Sequence, residues 1–438
     1  ERNASEAQQA TISGLRSFPA SFKILFGFLS DTMPLFGYRR KIYMLFGWCL
    51  SAFSMGMLLQ NSDCGFAKDG ETQPSIEVFS LSVLLFGSGF WFADVMADAV
   101  VAEKAKLEPK SSFGRLQSTC YACRFFGLMI AYPFSSIIYS TLGPRMVIYM
   151  LCMLPLVMLP LTFLFWETQN QAVNSTHEQC QEIWKTVCSR AVWQPMGFVY
   201  LYNVLQVNNA AWRQYLTSVL GFTADQLNSL LVITYVLLFV GVMAYKCYFM
   251  KWSWRMVYVF TTLLGGFFSL LQISLLKGYT FGLSPFLFSL GDDAFGEFVS
   301  GIQFLPTIIM MAHLCPVGSE GASYAMFTTV NNSALALSSA LTTLLLGIWD
   351  VSKETMVAGD LSGMIKLTLL TTLFQVSGIL FVRLLPRSTH ETESLKSDNF
   401  SQSTLGGSIF LSITFSSILY SIFVMYKNVV HPGWVKGS

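Results

Sequence analysis

The chain has 438 residues, of which 53% are hydrophobic, 15% aromatic and only 12% charged, with a mean hydropathy of +0.52. A soluble fold of that composition would carry more apolar surface than its core could bury, so the chain reads as a polytopic membrane protein. A net charge of +2 points neither to a nucleic-acid partner nor to a polybasic surface anchor, and the placement of charges matters more than their sum.

The sequence opens at Glu1 with neither an initiating Met nor a basic and apolar leader, and it reads as lacking its true start. A bilayer-spanning helix needs about 20 apolar residues. Such stretches are predicted near 13–30, 41–60, 78–101, 114–137, 145–166, 193–217, 225–249, 254–276, 284–313, 320–349, 363–385 and 405–427. The polar stretch 167–192 divides them into five and seven. The expected organisation is an N-terminal helical bundle over 1–166, a cytosolic central linker over 167–192, a C-terminal bundle over 193–386, and a tail over 387–438 with one additional apolar helix.

Orientation follows from Lys and Arg counted by loop. One alternate set of connections carries fifteen, including Arg39, Arg40, Lys41, Lys104, Lys106, Arg115, Lys185, Arg190, Arg255 and Arg383; the other carries seven. The first set is therefore expected in the cytosol. The chain then enters its first visible helix from outside, which implies one helix missing from the first bundle. The nine cysteines are scattered mostly within apolar runs. They form no disulfide framework, and Cys120-x-x-Cys123 lacks the second pair a metal site would need.

Ionisable residues inside apolar spans cost several kcal/mol unless paired or hydrated, so they are the candidate functional residues. Lys23 lies in the first stretch. Asp94 and Asp98, four apart and so on one helical face, lie in the third, and Arg124 in the fourth. Arg213 lies in the sixth, and Asp292, Asp293 and Glu297 in the ninth, where Arg213 is a candidate partner. Asn331 adds uncharged polarity in the tenth. Two readings of the Lys23, Asp94, Asp98 and Arg124 set stand side by side: buried structural pairs, or a substrate and proton site in a polar cavity. No nucleotide-binding loop, nucleophile elbow or metal-spaced His/Glu set is present, so neither an enzyme nor a cofactor or metal is expected.

Gly27-x-x-x-Asp31, then Gly37-x-Arg39-Arg40, resembles the loop between the second and third helices of the major facilitator superfamily. The longer spacer "TMPLF", the segment "SFKILFGFLSD" before it, "ADVMADAVV" at 93–101, "FLPTIIMMAHLCPVGSEGASYAMFTTVNNSA" at 304–334, and Arg124 followed by Gly127 are similar to the folate-biopterin transporter family. The resemblance runs from about Ala20 to Pro386.

It implies an all-α two-bundle transporter fold and secondary transport of folate, biopterin or a related metabolite, in some members S-adenosylmethionine, driven by protons across a lipid bilayer. A plasma membrane is expected ahead of an organelle membrane. A pterin's amino group and ring N–H form a fork that Asp94 or Asp98 can accept bidentately, and a folate's glutamate tail would seek Lys23, Arg124 or Arg213. Phe90, Trp91 and Trp212 are candidates to stack on the ring. The resemblance also makes Gly27, Asp31, Gly37, Arg39 and Arg40 a conformational gate loop. The contrasting reading is a descendant that kept the fold as a receptor or scaffold.

Overall fold

A computed structural model describes residues 15–16, 18–60, 76–109, 114–169, 175–316, 318–397 and 402–430. After a 3-10 turn at Phe18–Phe22 come α1 (Lys23–Thr32), α2 (Lys41–Gln60), α3 (Ile76–Ala105), α4 (Arg115–Leu142) and α5 (Pro144–Leu164). Then follow α6 (Thr176–Cys188), α7 (Arg190–Val204), α8 (Trp212–Ser218) and α9 (Ala224–Ala244), which runs on as a π turn to Phe249. The chain continues with α10 (Trp254–Leu276), α11 (Pro285–Leu314), α12 (Glu320–Leu345), α13 (Lys353–Val357) and α14 (Ser362–Ser377), extended in 3-10 form to Leu384, and finishes with α15 (Thr389–Ser397) and α16 (Thr404–Val430). No β-strand occurs among the described residues, so the fold is all-α.

Nine helices among the described residues are long and apolar enough to cross a bilayer. The other three predicted spans differ for physical reasons. The first is the 3-10 turn followed by the ten-residue α1. The sixth, predicted as one helix, stops at Val204 and restarts at Trp212, across the amide-rich sequence "LQVNNAA". The tenth, α12, is long enough, but its "TTVNNS" lowers its hydropathy. Large apolar side chains such as Phe46, Phe134, Leu164 and Phe267 point outward, as a lipid solvent allows.

The described chain divides into two compact units that are discontinuous in sequence: Glu1–Glu108, Pro133–Thr186 and Met311–Asn332 in the first, and Pro109–Tyr132, Val187–Met310 and Ser333–Ser438 in the second. In the first unit Gly47 and Gly89 let α2 and α3 touch backbone to backbone. A Cβ on Gly47 would stand 2.6 Å from the Gly89 carbonyl oxygen. Lipid tails are as apolar as the helices, so close van der Waals contact through small residues drives their association. Met55 and Leu58 of α2 then pack with Ile148 and Cys152 of α5. Phe26, Tyr43 and Phe92 meet edge to face around Val95, Met96 and Ala325.

The second unit repeats the small-residue device where Gly241 of α9 faces Gly301 of α11. Its apolar core gathers Trp212, Tyr215, Leu216, Leu230, Leu275, Met364 and Leu367. The additional helix α16 docks on α7: Gly407 lies against Cys188, the Ser403 N–H donates to the Cys188 carbonyl at 2.9 Å, and the Tyr200 and Ser417 hydroxyls are hydrogen-bonded.

Gly47→Val is expected to destabilise the protein by about 1–3 kcal/mol through overpacking, read as a lower midpoint in a thermal ramp followed by size-exclusion. Gly56→Ala, where the nearest atom to a new Cβ is Cys152 Sγ at 3.8 Å, should leave that midpoint unchanged.

Candidate functional site

Lys23 opens α1 and is almost wholly buried; its Nζ stands 2.7 Å from Asp94 Oδ2 and 3.8 Å from Asp98 Oδ2 on α3. The four-residue spacing of the aspartates puts both carboxylates beside one ammonium. The same Nζ sits 4.5 Å from the centre of the Trp91 ring, a cation–π contact. Trp91 in turn donates its indole N–H to the Arg16 carbonyl at 3.0 Å. Lys23 thus lies closer to Asp94 than to Asp98, with both carboxylates within ion-pair range.

A second cluster surrounds Asp31, near the end of α1, whose side chain is fully buried. Its Oδ1 accepts from Arg39 Nη2 at 2.9 Å and Arg40 Nη2 at 2.5 Å. Its Oδ2 accepts the Ala322 N–H at 2.7 Å and Gln179 Nε2 at 3.3 Å. Ala322 lies in the first turn of α12, where unpaired N–H groups and the helix dipole both favour a carboxylate.

Arg40, also fully buried, donates to Glu103 at 2.9 Å and to the Ser30 hydroxyl. Burial acts to lower its pKa, but the Asp31 and Glu103 carboxylates outweigh that and hold the guanidinium above its ordinary value. Arg39 reaches the Gly318 carbonyl at 3.1 Å. Nearby, Lys106 pairs with Glu320 at 2.6 Å and donates to the Pro316 carbonyl at 2.8 Å.

Local sequence explains the shape of this loop. Leu35 and Tyr38 exchange backbone hydrogen bonds of 3.0 and 2.9 Å. Phe36 and Gly37 between them have φ of 52° and 79°, the left-handed pair that a type I′ turn requires. The "TMPLF" spacer is thus a tight reversal that brings the arginines back onto Asp31. Glu167 caps the helix that follows, its two carboxylate oxygens accepting the N–H groups of Arg39, Arg40 and Lys41 at 3.0, 2.9 and 2.8 Å. Gly27 and Gly321 allow the approach of α1 to α12: a Cβ on Gly27 would overlap the Gly321 carbonyl, and one on Gly321 would stand 2.9 Å from Asp31 Oδ1.

The structure thus brings Lys23, Asp94 and Asp98 together, and Gly27, Asp31, Gly37, Arg39 and Arg40 together, both within the first unit. Asn331 is half-buried on α12. Arg124, Arg213 and Glu297 belong to the second unit. Arg124 is exposed, 5.8 Å from the Tyr121 ring centre; Arg213 is exposed on α8, and Glu297 is half-buried on α11. Asp292 and Asp293 lie on α11, with side chains outside the described set. Trp91 engages Lys23 with its ring face, whereas Trp212 stacks on Tyr215.

Several partners escaped sequence reasoning. Gln179 is one: the Ser175 and Glu178 capping box (Ser175 N–H to Glu178 at 2.8 Å) starts α6, and one residue later Gln179 is fully buried between Asp31 and the Ser319 hydroxyl. "STHE" was the available signal. Glu167, Glu103 and Glu320 are others. In the second unit Gln303 Nε2 donates to the Tyr202 hydroxyl at 2.7 Å and to Thr261 at 2.8 Å, while Tyr258 donates to the Gln303 carbonyl at 3.1 Å.

This fold is that of the major facilitator superfamily. It superposes on a proton:xylose symporter of that superfamily with a TM-score of 0.62 and 17% identity, covering 90% of this chain and 91% of that one. For the superfamily transporter FucP in its outward conformation the TM-score is 0.61 at 13% identity, covering 88% and 91%. The sequence profile of the BT1 family matches residues 2–403, and the chain belongs to that family. Among its relatives, a folate-biopterin transporter of Synechocystis is 26% identical over 395 residues, covering 88% of this chain and 76% of the relative. Folate transporter 1 of Plasmodium falciparum is 23% identical, covering 88% and 74%. The chain is therefore an integral, multi-pass membrane transporter and not an enzyme.

Asp31→Asn removes the charge shared by two buried arginines and should cost about 3–5 kcal/mol, as breaking buried pairs does. A double-mutant cycle with Arg39→Gln should show a coupling energy of about 0.5–3 kcal/mol in thermal or denaturant unfolding. Additive effects would mean that the pair is energetically idle.

Proposed function

We propose that the chain is a secondary carrier that moves a pterin- or folate-like solute together with protons, by alternating access, across the plasma membrane. The observation that carries this reading is the buried Lys23 ammonium between the half-buried Asp94 and Asp98 carboxylates and against the Trp91 ring. Ionisable groups inside a membrane span pair with one another and mark substrate or ion pathways, and here one ammonium is shared by two carboxylates. The 2-amino group and ring N–H of a pterin can dock on one aspartate as a bidentate donor pair, and the carboxylates of a folate tail can take the Lys23 ammonium.

Proton coupling follows from the same three side chains. With Asp94 ionised, Lys23 is held at 2.7 Å. Protonating Asp94 weakens that pair and releases Lys23 towards Asp98 or an anionic group of the solute. The names of the relatives, folate-biopterin and folate transporters, and the proton symporters among the structural neighbours support this assignment of solute and ion.

The Asp31 cluster serves as the conformational gate. Opening it separates the start of α12 from α1 and from the end of α3, breaking the Ala322 to Asp31 and Lys106 to Glu320 contacts.

The test is uptake of labelled folate, biopterin and S-adenosylmethionine by cells expressing the complete reading frame, with and without an imposed pH gradient. One proton per solute predicts accumulation of about tenfold per pH unit for biopterin or folate at the cell surface. Asp94→Asn should abolish gradient-driven accumulation while leaving surface expression intact. Accumulation that survives the substitution unchanged would make Asp94 structural, and well-expressed protein that moves none of the three solutes would contradict the carrier reading itself.

A further inference from the structure

We infer that the connection between α10 and α11, residues 277–284, is a membrane anchor: Tyr279 and Phe281 insert at the headgroup boundary of a phospholipid bilayer, and Lys277 beside them meets lipid phosphate. The anchor is independent of the solute and ion that the carrier moves. It pins the α10 and α11 end of the second unit at a fixed depth in the membrane.

Two tight pieces of backbone set the geometry of this connection. Helix α10 ends in a Schellman cap, in which the Tyr279 N–H donates to the Ser274 carbonyl and the Gly278 N–H to the Leu275 carbonyl, both at 2.9 Å, with Gly278 at a φ of 79°. The chain then reverses over Thr280–Leu283: the Leu283 N–H donates to the Thr280 carbonyl at 3.0 Å, and Phe281 and Gly282 take φ of 52° and 83°. These are the central positions of a type I′ turn, the first of which is ordinarily asparagine, aspartate or glycine. A bulky side chain is an outlier in left-handed backbone, so a phenylalanine there needs a contact to hold it.

The protein supplies little of that contact. Tyr279 is 67% exposed and Phe281 79%, and Leu283 and Leu287 beside them are exposed as well; a cluster of this kind marks a contact surface. Its occupant follows from where it lies. The cluster continues the lipid-facing stripe of α10, on which Phe260, Leu263, Phe267 and Leu270 are all exposed. The Phe281 ring stacks on Phe288 in the first turn of α11, centroids 6.3 Å apart and planes at 17°, so it lies back along that span instead of projecting away from it. Both α10 and α11 are long and apolar enough to cross a bilayer, and a short loop tied to both ends rests in the polar interface, about 5–8 Å deep on each side of the hydrocarbon. Tyrosine suits that depth with an apolar ring and a wet hydroxyl. Lys277, exposed at the end of α10, can lay its stem on apolar surface and hold its ammonium at the phosphates.

Photocrosslinking tests the anchor directly. The full-length chain is placed in phosphatidylcholine nanodiscs with p-benzoylphenylalanine in place of Phe281, and in separate samples in place of Leu263 within the span and of the exposed Lys353 on α13. After irradiation, adducts are read by intact mass. A phospholipid adduct is expected at 281, as at 263, and none at 353. A crosslinked dimer through 281 would make a second copy of this chain the occupant and overturn the anchor. So would the absence of a lipid adduct at 281 while 263 gives one, whether the probe stays unreacted in water or couples within the chain. If the probe at 281 prevents folding, the same probe in place of Tyr279 decides by the same criteria.

Discussion

A carboxylate taken wholly out of water must have its lone pairs filled by donors, and Asp31 fills them from four directions. Two arginines eight and nine residues onward, a glutamine from α6 and a backbone N–H at the start of α12 converge on one side chain with no exposed surface. No two of these donors are held by the same element of the chain except the neighbouring arginines. The carboxylate therefore fixes α1, the turn after it, α6 and α12 relative to one another.

Much of the first unit follows from that constraint. The arginines reach Asp31 because Phe36 and Gly37 take left-handed backbone, and their own N–H groups are then spent on Glu167. Gly27 and Gly321 are glycines because any side chain would enter the same space. One helical turn before Gly27, Lys23 leaves α1 towards Asp94 and Asp98. A displacement of α1 that disturbs the Asp31 cluster therefore also moves the ammonium that the two aspartates share, because Lys23 and Asp31 stand on one short helix.

The spans were legible in the sequence because a bilayer demands long apolar runs, and the Lys23, Asp94 and Asp98 set was legible because charge inside such a run is anomalous and helical spacing says which residues share a face. The Gly27 to Arg40 loop was legible through resemblance to a known pattern. Gln179 and Glu167 were not, since they sit in a polar linker where such residues are ordinary, and their partners are 148 and 126 to 128 positions away. Nor was the break at 205–211: its residues are apolar enough on average to pass for a helix, and only the side chains of Gln375 and Ser338, far along the chain, make the unwound backbone affordable by donating to the Val207 and Gln206 carbonyls. Arg124 and Arg213 were candidates on residue type alone, Arg213 as a partner for the acidic residues of α11, and residue type does not say that both belong to the second unit.

Asp31 clamps the first turn of α12, its Oδ2 accepting the Ala322 N–H at 2.7 Å. Hydrogen–deuterium exchange of the amides over 318–326, comparing the wild-type chain with Asp31→Asn in lipid nanodiscs, tests it most directly. Exchange across this turn is expected to accelerate at least about tenfold, equivalent to some 1.4 kcal/mol of lost protection, while the Gly47 and Gly89 crossing keeps its wild-type rate. Unchanged exchange over 318–326 would contradict it.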